Sequence, residues 1–261
     1  MHRVVTVRLG VVSDIHGNAV ALDAVLADAA DLGVDRWWAL GDLVLFGPRP
    51  VEVLTTLASL PGIQYVGGNT DRYVMTGEQP SPHATPADAA GDVELVERYG
   101  KMAGAIGWTQ GALCQAGMLD WLAELPSEQR IAVSDGSVLL GVHASPGRDD
   151  GAGIDTDSND EALSRLLAGC GASIVVGGHT HVATDRTIDG VRALNPGSAG
   201  LPRRCIGASW MLIEADDTGI RIEHRQAVFD VEAVISDLHQ RRYPNASFLE
   251  SILRRTHRFA H

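Results

Sequence analysis

The 261-residue sequence has few cysteines, no long apolar run and a deficit of basic residues. Cys114, Cys170 and Cys205 are an odd number without paired spacing, which indicates neither a disulfide framework nor a thiolate zinc site. No apolar run approaches the roughly 20 residues of a spanning helix, and residues 1–3 lead into a strand pattern without a signal-peptide core. We therefore expect no membrane partner and a cytoplasmic location. With 21 basic against 33 acidic residues and a net charge of -12, we expect no binding of duplex nucleic acid.

Strand-like and helix-like patterns alternate at the start of the chain. Residues 3–13, 36–40 and 63–66 have the composition of buried strands, and residues 18–30 and 50–60 have the periodicity of helices. This alternation predicts an α/β fold. The 45% hydrophobic content is ample for the core of one large domain or two small ones.

Residues 72–126 interrupt that alternation with helix-like segments and a proline-rich loop at 80–86, which predicts a helical insertion. The second half is richer in strands. Hairpins are predicted across Asp135-Gly136, Asp189-Gly190 and residues 216–219, and a helix at 160–168 precedes a buried strand at 173–176. Two helices within about 231–256 close the chain.

Polar side chains follow the predicted strands at the point where each strand ends. Asp14 and His16 come after the first strand, and alternation along a strand would direct both to one face. His179 and His181 repeat this one-residue spacing after two glycines. Alternatively, Asp14 caps the following helix and His16 is an ordinary loop residue.

The strand ends carry seven residues of metal-ligand type in all. Ligands of open α/β sheets bind beyond the carboxyl ends of the strands, so we expect these side chains to meet. Any one of them read alone fits a structural role, whereas together they predict a metal centre. The seven are Asp14, His16, Asp42, Asn69, His143, His179 and His181.

These residues stand in motifs that resemble the calcineurin-like metallophosphoesterases. The motifs are Asp14-Ile15-His16-Gly17-Asn18, Gly41-Asp42, Gly68-Asn69-Thr70-Asp71, His143-Ala144 and Gly178-His179-Thr180-His181. Further motifs resemble the small bacterial subgroup labelled phosphodiesterase or diadenosine tetraphosphatase-like: Gly41-Asp42-Leu43-Val44, Phe46-Gly47-Pro48, Asn195-Pro196-Gly197-Ser198 and Pro202-Arg203. The resemblance runs from residue 8 to about residue 235.

The resemblance implies a four-layer α/β/β/α sandwich in a single domain over residues 1–261, with the helical insertion at about 72–126. It also implies two divalent ions. Asp14, His16 and His181 would hold one ion, Asn69, His143 and His179 would hold the other, and Asp42 would bridge them. A hydroxide between the ions would attack phosphorus. Such donors suit manganese, iron, zinc or nickel.

One position departs from the family pattern. Thr70 stands where the family has a general-acid histidine, and a threonine hydroxyl does not donate protons readily near neutral pH. His83 in the loop at 80–86 is one candidate for that role. Asp71 is expected either to take part in catalysis, with Asp42, Asn69 and His143, or to cap a helix beginning near residue 72.

The function predicted first is a metal-dependent phosphoesterase acting on a small phosphorylated substrate, mono- or diester, with Arg203 and Asn69 contacting the phosphate. Arg203 could equally be a solvated loop residue. A second hypothesis is a protein-interaction scaffold of the same fold with little activity, as in a retromer subunit. A third is a nuclease, which the acidic composition disfavours. The sequence leaves a homo-oligomer open.

Overall fold

The computed structural model describes residues 7–80, 87, 90–133, 136–216 and 219–258. The helices are α1 (Ala19–Ala29), α2 (Pro50–Ala58), α3 (Asn69–Thr76), α4 (Val93–Gln115), α5 (Leu119–Ala123), α6 (Asp160–Leu167), α7 (Val231–Gln240) and α8 (Ala246–Arg258). The strands are β1 (Val7–Val12), β2 (Arg36–Leu40), β3 (Gln64–Val66), β4 (Glu128–Ala132), β5 (Val138–Val142), β6 (Ile174–Val176), β7 (Thr184–Ile188), β8 (Val191–Asn195), β9 (Ala208–Asp216) and β10 (Gly219–Ala227).

Two five-stranded sheets form the centre of the molecule. The first has the order β10-β9-β1-β2-β3 and the second β4-β5-β6-β8-β7. Strands β1, β2 and β3 are parallel, as are β5, β6 and β8, while hairpins add the antiparallel strands. The parallel strands of each sheet therefore place several carboxyl ends at one edge.

Three apolar clusters lie between four layers, and strand alternation produces them. On β2, Trp37 faces the cluster under α1 and α2, while its neighbour Trp38 faces the second sheet. On β5, Leu139 packs between the sheets and Leu140 packs under α6. The predicted α/β/β/α sandwich is confirmed.

Three helices, α3, α4 and α5, lie between β3 and β4, where the sequence predicts the helical insertion. The predicted boundary differs, because α3 begins at Asn69 and not near residue 72. Asn69, Thr70 and Asp71 therefore lie in the first turn of a helix, where backbone N–H groups are free of intrahelical partners. Residues 81–86, and with them His83, lie outside the described residues.

Helices α7 and α8 pack against the first sheet and the insertion. Leu249 and Leu253 of α8 are buried in the same cluster as α1 and α2. Arg49, which precedes α2, donates to Asp237 of α7 at 2.5 and 2.9 Å, so the loop after β2 is tied to the terminal helices. Among the described residues, no helix is both long and apolar enough to cross a membrane.

Candidate metal centre

The strand ends of the two sheets bring the predicted ligands together. Asp14 and His16 follow β1, Asp42 follows β2, and Asn69 lies at the start of α3. The ligands from the second sheet follow β5 and β6: His143, His179 and His181. The first five are buried, while His179 and His181 are partly exposed toward a cleft.

Left-handed backbone, and not strand alternation, directs these side chains to one place. β1 ends at Val12, so Asp14 and His16 lie in the loop beyond it. Five of the ligand positions have positive φ, a region that non-glycine residues rarely adopt. The five are Asp14 (54°), His16 (51°), Asp42 (55°), His179 (68°) and His181 (63°). Backbone strain of this kind clusters at functional sites, so this edge of the sheets is the candidate site.

The first group of donors consists of Asp14, His16, Asp42 and His181. One donor atom from each lies within 4.8 Å of the others. The Nε2 atoms of His16 and His181 are 3.1 Å apart, and Asp14 Oδ1 is 3.3 Å from His181 Nε2. The Nδ1 atom of each histidine contacts a backbone carbonyl oxygen. His16 contacts Leu45 O at 2.9 Å, and His181 contacts Leu201 O at 2.8 Å. A carbonyl only accepts, so Nδ1 carries the hydrogen and the neutral Nε2 presents a lone pair.

The second group consists of Asn69, His143 and His179, again with Asp42. Asn69 Oδ1 lies 3.1 Å from His143 Nε2 and 3.0 Å from His179 Nδ1. His143 donates from Nδ1 to Leu40 O at 2.7 Å, and His179 donates from Nε2 to Gly151 O at 2.9 Å. Both facing nitrogens therefore carry lone pairs when the rings are neutral.

Asp42 lies between the two groups. Its Oδ1 is 3.3 Å from His143 Nε2, and its Oδ2 is 3.8 Å from His16 Nε2. Thr70 N donates to Oδ1 at 2.9 Å and so fixes the carboxylate plane. Gly68 is required here, because a Cβ at that position would lie 3.0 Å or less from the Asp42 Oδ1 and N atoms.

The facing atoms fit divalent cations. Oxygens and imidazole lone pairs converge in both groups, and acceptors at such distances repel unless positive charge lies between them. Only protonated imidazoles or bound cations provide that charge. Mixed carboxylate, amide and imidazole donors suit manganese, iron, zinc or nickel.

The pKa values follow from the same crowding. Burial lowers the pKa of His16 to about 4, despite the opposing effect of Asp42. Burial would also lower the pKa of His143 and His181, but Asp42 and Asp14 outweigh it and raise both above 6.5. Burial would raise the pKa of Asp14, and its histidine neighbours instead hold it well below its usual range.

Asp71 is buried beneath the centre. Its Oδ1 accepts from Leu43 N at 2.9 Å and its Oδ2 from Gly68 N at 3.0 Å. Burial, with the nearby Asp42 charge, raises its pKa to about 7. Both oxygens thus hold the backbone beside two predicted ligands, as expected of an acidic residue in the first turn of α3.

Thr70 borders the cleft, and its hydroxyl oxygen is buried. The residue is 4% exposed, and its Oγ1 has no hydrogen-bond partner in the described structure. A cavity of about 270 Å³ lies over it, bounded by His16, Asp42, His179 and His181 and by apolar residues of α8. The described lining contains no histidine besides the predicted ligands.

The end of β8 and the loop after it support the centre from below. Asn195 Nδ2 donates to Gly178 O at 2.6 Å, and Ser198 Oγ donates to Asp14 O at 2.7 Å. Both residues are fully buried. The motif Asn195-Pro196-Gly197-Ser198 therefore holds the backbone of two ligand loops in position.

Helix α8 supplies cleft residues that the sequence analysis did not identify. Phe248 and Ile252 border the small cavity, and Arg255 borders a second one of about 470 Å³ beside Arg203. Their spacing of four and three residues places them on one helix face, which is the signal that could have revealed them. Arg203 itself is exposed and makes one long contact, 3.5 Å from Nη1 to Thr180 O.

The fold and this donor set together define a metallophosphoesterase. Residues 7–218 match the model of the calcineurin-like phosphoesterase superfamily domain, and the chain belongs to that superfamily. The predicted family is thereby confirmed.

The chain is also similar to three known proteins. An uncharacterized protein of Methanocaldococcus jannaschii is 25% identical over 255 residues, which cover 90% of this chain and 93% of that protein. A metallophosphoesterase structure from Sphaerobacter thermophilus has a TM-score of 0.70 and 25% identity, covering 96% of this chain and 99% of that one. A symmetrical bis(5'-nucleosyl)-tetraphosphatase of Serratia proteamaculans is 33% identical over 91 residues, or 32% of each chain.

Proposed function

We propose that this protein is a metal-dependent phosphoesterase that hydrolyses small phosphoesters or phosphodiesters at a centre of two divalent ions. The observation that carries the proposal is that two groups of metal-donor side chains lie side by side and share Asp42. A carboxylate has two oxygens, so Asp42 would be able to hold both cations. We further propose that residues 1–261 act as a single domain.

The ligand assignment follows the two groups. Asp14, His16 and His181 would hold one ion, Asn69, His143 and His179 the other, and Asp42 both. When bound, the ions would supply Lewis-acid activation of the phosphoryl group and of a water nucleophile. The chain itself fixes the rings, because the backbone carbonyls select the tautomer of His16, His143 and His181.

Substrate orientation falls to residues around the cleft. The first turn of α3 carries the partial positive charge of a helix N-terminus, which would favour a nearby phosphoryl oxygen, while the Thr70 N–H of that turn already donates to Asp42. Asp71 acts as a positioning residue, because its hydrogen bonds hold Gly68 and Leu43 beside Asn69 and Asp42.

Leaving-group protonation is the weak step of this mechanism. With Thr70 in the general-acid position, the departing oxygen must take its proton from water or from a group outside the described lining. General-acid help is typically worth about 10²–10⁴-fold. We therefore propose that acidic leaving groups, such as aryl esters or nucleotide phosphates, react in preference to alkyl esters.

The test combines metal analysis with a substrate panel. Purified protein is expected to bind two ions per chain and to hydrolyse 4-nitrophenyl phosphate or bis(4-nitrophenyl) phosphate after manganese is added. His83→Ala is expected to lower turnover much less than a change at Asp42. Two bound ions without hydrolysis of any ester would instead support the scaffold hypothesis, and cleavage confined to polynucleotides would support the nuclease hypothesis.

A further inference from the structure

Two arginines beside the metal centre lack a carboxylate partner in the part of the chain that the structure describes. Most other described arginines are paired, including Arg204, which donates to Asp157 at 3.2 Å from Nη1. Arg203 contacts only Thr180 O, and Arg255 donates only from Nε to Ser251 O at 3.2 Å. Among the described contacts, both terminal nitrogens of Arg255 and the Nη2 atom of Arg203 are thus available to an anion.

Both arginines line the same cavity. It has a volume of about 470 Å³ and is also bordered by His179 and His181, one from each predicted metal group. It shares those two histidines, Leu201 and Ile252 with the smaller cavity over Thr70. The metal centre and the arginine pair therefore open into one continuous cleft.

The architecture of α8 holds Arg255 at this cleft. Leu249 and Leu253 on one side of the helix are 2% exposed. His239 of α7 contacts Glu250 at 2.9 Å, which fixes the rotation of α8. Phe248, Ile252 and Arg255 lie on an adjacent face, about 100° from the two leucines by helical geometry. The same face thus offers an apolar surface near the centre and a cation farther along.

We propose that Arg203 and Arg255 bind a second phosphoryl group of the substrate, so that the preferred substrates carry two phosphoryl groups. This inference rests on the proposed function. A guanidinium binds phosphate through two parallel hydrogen bonds. In a chain with a net charge of -12, a doubly phosphorylated molecule needs such local cations to approach.

Binding without catalysis provides the first test. Metal-stripped full-length protein is titrated with inorganic phosphate by calorimetry, using wild type, Arg203→Ala, Arg255→Ala and Arg255→Lys. Each alanine variant is expected to bind phosphate about five- to tenfold more weakly than wild type. Arg255→Lys is expected to bind it about two- to threefold more weakly. Arg36→Ala is the matched control, because Arg36 is an exposed arginine without a described carboxylate partner at the opposite end of β2. Equal affinity in all the variants, or saturation of none, overturns the inference.

Selectivity provides the second test. In the manganese-loaded enzyme, the ratio of kcat/KM for propane-1,3-diol bisphosphate to that for propyl phosphate is expected to fall about five- to tenfold in either alanine variant and to stay constant in Arg36→Ala. Inorganic pyrophosphate tests an anhydride-linked second phosphoryl group in the same way. The compound 3-(phosphonooxy)propanoate carries a carboxylate in place of the second phosphate. An equal fall in its kcat/KM relative to that for propyl phosphate would show a general anion site and refute the phosphoryl assignment.

The two proposals fail separately. Hydrolysis of single-phosphate esters with unchanged ratios in the variants would refute only the arginine site. Phosphate binding that depends on the arginines, without hydrolysis of any ester, would refute only the proposed function.

Discussion

Asp42→Asn is expected to abolish most of the metal-dependent stabilisation of the protein. Asparagine keeps the shape of the side chain and one oxygen to accept from Thr70 N. It replaces the other oxygen with an NH₂ group that cannot bind a cation. Because Asp42 faces both donor groups, this change of a single atom is expected to weaken the binding of both proposed ions.

The magnitude follows from binding linkage. An ion present at 100 times its Kd stabilises the folded state by about 2.7 kcal/mol. For a chain of 261 residues this corresponds to a rise in Tm of roughly 5–10 °C for each ion. Wild-type protein should show that rise when manganese is added to the stripped form, and Asp42→Asn should show little of it.

Thermal unfolding with and without manganese measures this effect without any substrate. Asp185→Asn is the matched control, since Asp185 is a surface carboxylate paired with Arg192 at 2.6 Å. The control should keep the full manganese shift. A wild-type shift that persists undiminished in Asp42→Asn would refute the bridging role, and a wild type without any shift would refute the metal centre.

The remaining predictions concern pH, the general-acid position and the packing of the centre. Manganese affinity should fall as the pH drops, because protons compete for imidazole lone pairs. The fall should begin above pH 6.5, since the pKa values of His143 and His181 are raised in the metal-free protein. Calorimetry from pH 8 to 5 checks this, and a constant Kd would contradict it. Thr70→His should flatten the dependence of kcat on the leaving-group pKa across substituted phenyl phosphates, provided chemistry limits the rate; a wild-type rate already independent of that pKa would mean that another residue donates the proton. Gly68→Ala should lower the manganese shift and the stability, because its Cβ would displace the bridging carboxylate. In contrast, Gly100→Ala on α4, where nothing lies within 4 Å, should raise stability by about 0.5–1 kcal/mol. A gain of stability in Gly68→Ala, measured by urea unfolding, would contradict the geometry.

Local patterns in the chain were enough to place the strands, the helices and the family. Residues 36–40 were predicted as a strand with bounds identical to β2, since apolar runs bounded by polar residues specify short buried strands. The motifs also pointed to the seven residues whose side chains the structure brings together, because a strand end in an α/β sheet is a position that sequence pattern marks well. The boundary of α3 was missed, because glycine and asparagine suggest a loop when read alone. The backbone bond from Arg72 N to Gly68 O at 3.1 Å, with the bond from Gly68 N to Asp71 Oδ2, shows that the helix already begins there.

Tertiary structure alone decided how the donors meet. The positive φ values at Asp14 and Asp42 are imposed by contacts with distant loops, such as Asp14 N donating to Gly41 O at 3.0 Å. No local propensity would have predicted them. The sequence likewise contained Arg255 and Phe248 without any sign that they approach the centre. Their position depends on the packing of α8 through Leu249 and Leu253 against a core built from the first half of the chain. Periodicity shows which residues share a helix face, whereas what that face meets is determined by contacts between residues far apart in the sequence.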